Sequence, residues 1–101
     1  MSLRVMEVVA AVRKGAGLEA VRDAAKKGMD EVCRVISTEW PREEDVAGLA
    51  VERWWCGAVF SACTDRGMSE VSRWRVVEML AGCLGDEEGR HGGLPVRKGE
   101  G

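Results

Sequence analysis

Val46-Ala-Gly-Leu-Ala-Val-Glu-Arg-Trp-Trp-Cys-Gly-Ala-Val-Phe-Ser-Ala-Cys-Thr64 is the stretch that decides the fold. Within it only Glu52 and Arg53 are charged. A helix apolar on nearly every side is either the centre of a soluble core or a membrane span. Two adjacent charges argue against the membrane, because one such residue at a bilayer centre costs about 2.5–3.5 kcal/mol. The segment therefore reads as a buried central helix, an interior rod that its own chain must surround. Pro41 suits its first turn, where a missing N–H goes unnoticed. Glu43, Glu44 and Asp45 then set negative charge at the positive end of the helix dipole. Arg66-Gly67 supplies a closing cation and glycine, so the helix is expected from about Pro41 to Asp65.

Working outward, the preceding segment carries the cleanest stripe in the chain. Leu18, Val21, Ala25, Met29, Val32 and Ile36 step by three and four, with charges over the other faces. Asp23 and Lys27 stand four apart with the acid first, the favourable order for a surface pair. Gly28 interrupts this run without shifting its register, which favours one continuous helix bearing a penalty of about 1 kcal/mol. Before it, Leu3 to Lys14 places Val5, Val8, Val9 and Val12 on one side and Arg4, Glu7 and Lys14 on the other. Valine is a weak helix former, so packing must hold this segment. Gly15-Ala16-Gly17 breaks the chain between the two. After the central segment, Ser69 caps a fourth helix with Trp74, Val77, Leu80, Ala81 and Leu84 inward, expected to end at Gly85.

The expected architecture is all-α, a compact antiparallel four-helix bundle with a short flexible C-terminal tail. Residues 1–85 form the helical domain and 86–101 a flexible glycine-rich tail, with Leu94-Pro95-Val96 its one apolar patch. Met1-Ser2-Leu3 and Glu100-Gly101 read as expression-vector remnants. No repeat, heptad run or strand alternation stands out.

Composition narrows the class. The 101 residues are 46% hydrophobic and 32% charged, too apolar for a disordered chain and too short for two cores. A formal net charge of -2 excludes a highly basic nucleic-acid coat and a polybasic membrane anchor. Asn and Gln are absent and Arg outnumbers Lys, which fits selection at high temperature or a GC-rich genome alike. No signal-peptide pattern opens the chain, and the expected location is the cytoplasm.

Cys33, Cys56, Cys63 and Cys83 all fall within expected helices among apolar neighbours. Cys56 and Cys63 share a face but stand about 10 Å apart, too far to hold one ion. The reading is four small buried hydrophobes with free thiols, although a bridge from Cys83 to Cys33 or Cys63 is geometrically conceivable. His91 is the only histidine and sits in the tail, where a general base would be poorly preorganised. No metal and no cofactor is implied. Glu39, Glu43, Glu44 and Glu52 lack the paired spacing that a metal-dependent helical pyrophosphohydrolase needs.

Three surfaces remain as candidates. Trp54 and Trp55 point about 100° apart and cannot enter one small core. One of them, with Val51 and Phe60, is expected to form a second apolar face closed by another subunit, giving a non-catalytic interaction module that works as a homodimer or with another protein. The segment Arg66-Gly67-Met68-Ser69-Glu70-Val71-Ser72-Arg73-Trp74 resembles a helix-turn-helix, which implies nucleic-acid contact through Arg73 and Arg75. Its glycine-to-valine spacing is shorter than usual, and the acidic chain lacks the usual basic face. Glu52 and Arg53 must pair, reach water or line a polar pocket that could serve a ligand-binding or enzymatic bundle, with Glu31, Arg34 or Arg73 as candidate partners.

Overall fold

The structure, a computed structural model, describes the backbone of residues 2–90 and the side chains of residues 2–83. Four helices follow one another: α1 (Leu3–Arg13), α2 (Leu18–Glu39), α3 (Glu43–Thr64) and α4 (Glu70–Arg90). No strand occurs among the described residues. Each helix packs on its chain neighbours, and α4 closes back on α1, so the four form a ring with α1 and α3 touching across the middle. Short connections make sequential helices antiparallel, and the architecture is a four-helix bundle.

Local chemistry sets the helix ends. The Ser2 hydroxyl accepts the Val5 N–H at 3.3 Å and caps α1. Gly15 (φ 67°) and Gly17 (φ 103°) turn the chain into α2 through backbone angles that side chains rarely adopt. Trp40 closes α2 in the left-handed conformation, at φ 47°, a place glycine usually takes. Pro41 lies just ahead of α3, two residues before Glu43, because Arg42 takes the cap position. The Ser69 hydroxyl accepts the Ser72 N–H at 3.1 Å and opens α4. This last helix runs through Gly85 to Arg90; one glycine lowers helix propensity by about 1 kcal/mol and does not by itself end a helix. His91 and the Leu94–Val96 patch lie outside the described residues.

The core is made of small and β-branched side chains. Val5, Val8, Val9 and Val12 of α1 meet Val21 and Ala25 of α2, and Val77 and Ala81 of α4. From α3 come Trp55, Cys56, Val59, Ala62 and Cys63. At Gly28 α2 packs tightly on α3: a Cβ there would lie 3.0 Å from Cys56 Sγ. The glycine interrupting the α2 stripe thus marks a helix crossing, which explains why the register holds through it. The Asp23–Lys27 pair does not form; Asp23 bonds Arg22, Lys26 bonds Asp30, and Lys27 turns toward Glu7 of α1.

The central helix is not an interior rod. Its buried residues all lie between Trp55 and Cys63, while Ala47, Gly48, Ala50, Val51 and Trp54 are exposed. Val51 and Trp54 lie on the side of α3 turned away from the bundle, and on the inner side Val46 and Leu49 are only half-buried because α1 is short. With 11 residues, α1 spans about 16 Å, half the reach of its neighbours. Its first turn meets α3 at Glu52, so nothing from α1 lies across from the earlier turns of α3. Two cysteines also depart from expectation: Cys56 and Cys63 are buried, but Cys33 and Cys83 are exposed.

Candidate functional site

The two adjacent tryptophans take opposite fates. Trp55 points inward, is 5% exposed, and donates its indole N–H to the Leu80 carbonyl at 3.0 Å, tying α3 to α4. That bond satisfies the one polar group of an otherwise apolar anchor. Trp54, rotated about 100° from it, points outward and is 69% exposed. Val51 shares its side of the helix at 64% exposed. Phe60 is half-buried and packs against the edge of the core. Of the four residues singled out from sequence, Val51 and Trp54 are therefore on the surface, Phe60 on its border and Trp55 in the interior.

The outward pair belongs to a longer seam. Ala47, Val51, Trp54, Ala58 and Ser61 alternate steps of four and three, the spacing by which one helix face meets another in a coiled coil. No charge falls on it. Beside Trp54 the surface dips into an open groove of about 440 Å³. Gly57, Ala58 and Ser61 form its low stretch on α3, with Met29 of α2, Phe60 and the charged Arg53 on the side toward α2. Gly57 keeps the groove shallow-walled: a Cβ there would only touch Met29 Sδ, at 3.5 Å. Sequence reading passed over this seam because alanine, serine and glycine are weak hydrophobic markers, although the alternating step was there to be counted.

Glu52 and Arg53 separate. The Arg4 guanidinium donates to the Glu52 carboxylate at 3.0 Å and reaches Glu31 at 4.0 Å. Glu31 in turn meets Arg34, and Arg34 meets Glu39. Charges of alternating sign thus link the start of α1 to α2 and α3, with Arg4 and Glu52 each about four-fifths covered. Arg4, placed among the outward charges of the first helix by sequence, is the partner that makes Glu52 tolerable at the core edge. Arg53 turns to α2, where its Nε donates to Cys33 Sγ at 3.2 Å.

The remaining candidates lie apart from that seam. Arg73 Nε donates to the Met68 carbonyl at 3.1 Å and braces the turn before α4. Arg75 shares a shallow groove with Glu70 and Glu78, which offset its charge. Burial pushes the Cys56 thiol up to about 11, with the nearby Glu52 carboxylate adding to the rise and Arg4 opposing it. Cys63 is raised by burial as well, Arg22 acting against. Both thiols are thereby held in their unreactive protonated form at neutral pH. Among the described residues, no group of three or more His, Cys, Asp or Glu is placed to hold a metal ion, and no helix is long and apolar enough to cross a membrane. No family model, curated protein or solved structure matches this chain.

Proposed function

We propose that this protein is a helical interaction module whose work is assembly rather than chemistry, and that it self-associates through the outer face of α3. The observation that carries the reading is the exposure of Trp54 beside Val51 on an uncharged seam. An indole left in water next to a matching apolar neighbour is the residue type that most often anchors a protein interface. Support also comes from Glu52, the carboxylate nearest the core, which is already bound by Arg4. The four cysteines form no disulfide, which supports a cytoplasmic, reducing setting.

Light scattering on a sizing column tests the proposal. The native chain is expected to elute with about twice its 11.0 kDa mass, and the V51S/W54S double variant with the mass of one chain while keeping its helix content. A native chain that stays monomeric at millimolar concentration would defeat the reading.

A further inference from the structure

We infer that the partner copy lies across a two-fold axis passing near Gly57 and Ala58, so that the two α3 helices run antiparallel and each Trp54 seats in the other copy's groove. This rests on the assembly reading above and gives it a register.

The first argument is self-complementarity. A two-fold interface joins the same patch to itself, so residue i must meet j while j meets i. The outer face of α3 carries a knob and a hollow one to two turns apart: exposed Trp54, and the low stretch at Gly57, Ala58 and Ser61. An antiparallel pairing centred between Gly57 and Ala58 sets Trp54 opposite Ser61 at both ends at once. A parallel pairing would instead stack indole on indole and leave both hollows empty.

The second argument is charge. Glu43, Glu44 and Asp45 crowd the first turn of α3, with Arg42 pairing only the last two. Exposed Arg66 follows its last turn beside the capping Asp65, so the entry stays net acidic and the exit does not. Antiparallel alignment sets Arg66 of one copy opposite Leu49 of the other, about one helical turn from Asp45, and keeps the two acidic entries at opposite ends of the interface. Parallel alignment would place both acidic turns side by side. Helix dipoles add in the same direction, since antiparallel neighbours set opposite partial charges together. Between these ends the seam from Ala47 to Ser61 runs about 21 Å with no charge on it, and Arg53, the one cation lining the groove, is drawn aside to Cys33 of α2.

Cross-linking between introduced cysteines reads the register. In a chain with exposed Cys33 and Cys83 replaced by serine, Ala58→Cys lies beside the axis and faces its own copy. Val51→Cys lies about 20 Å along the helix from its own copy and opposite Thr64 of the other. Mild oxidation is expected to link A58C chains into a covalent dimer, to leave V51C chains unlinked, and to link a mixture of V51C and T64C chains. Linking of V51C alone as readily as A58C would show a parallel dimer and overturn the register. A native chain of doubled mass in which neither A58C nor the mixture links would place the dimer on another face, overturning the register while self-association stands. A monomeric native chain removes both.

Discussion

The inner and outer faces of α3 carry the same residue at adjacent positions and use it for opposite ends. Trp55 fills the bundle and closes its hydrogen bond within the chain, whereas Trp54 leaves its ring in water. The inner face is set by shape: Cys56 fits against Gly28, and Val59 and Ala62 fill what Trp55 leaves. The outer seam is set by omission of charge, with Arg53 held to its side against Cys33. The difference teaches that a long stretch poor in charge is no proof of a central helix, because one side of it can be packed while the other stays in water.

Measurements can break or sharpen this contrast, beginning with the largest effect. Replacing Trp55 with alanine is expected to lower unfolding free energy by about 3–5 kcal/mol, through the cavity it leaves and the loss of the indole bond that ties α3 to α4. Denaturant unfolding at a fixed low protein concentration measures it; a loss below that of an ordinary surface change would remove Trp55 from the core. Gly28→Ala comes next. It gains about 1 kcal/mol of helix propensity but drives a methyl against Cys56 Sγ, for a net loss of about 1 kcal/mol. Removing the sulfur in a C56A background is expected to turn the same change into a gain, and a loss of equal size in both backgrounds would show that α2 and α3 do not meet there.

Trp40→Gly is expected to stabilise by about 1 kcal/mol, since the left-handed backbone at φ 47° suits glycine. A destabilised W40G would show that the indole contributes packing outweighing that strain. The thiols report the same contrast by reactivity. A thiol reagent at neutral pH is expected to modify Cys33 and Cys83 in the folded chain and all four only after unfolding. Because the Cys56 thiol rises in the fold from about 9 to about 11, the unfolded chain releases its proton first. Stability is therefore expected to fall as pH climbs from 9 toward 11, and C56A to lose that part of the dependence. The smallest effect on the isolated fold belongs to Trp54→Ser, within about 0.5 kcal/mol once association is diluted away.

Much of this was legible from residue spacing. The stripe from Leu18 to Ile36 gave α2 its buried Val21, Ala25 and Val32, and Ser69 its cap, because periodicity and capping are local. What depends on relative lengths was not. Nothing within residues 46–64 reveals that α1 begins level with Glu52, and that distant fact leaves Val46 and Leu49 in the first turns of α3 only half-buried. Arg4 looked like a surface charge for the same reason: its partners lie 27 and 48 residues away. Gly28 read as a penalty until Cys56 stood against it. In the candidate surface, adjacency alone separated Trp54 from Trp55 by about 100°, but only the packed bundle decides which of them is inside.

The central claim, that α3 keeps a second apolar face for a copy of itself, meets its most direct test in sedimentation equilibrium of the native chain across a wide dilution series. Mass falling smoothly from about twice 11.0 kDa toward that value on dilution is the expected result. A single-chain mass at every concentration, with Trp54 still in water, would contradict it.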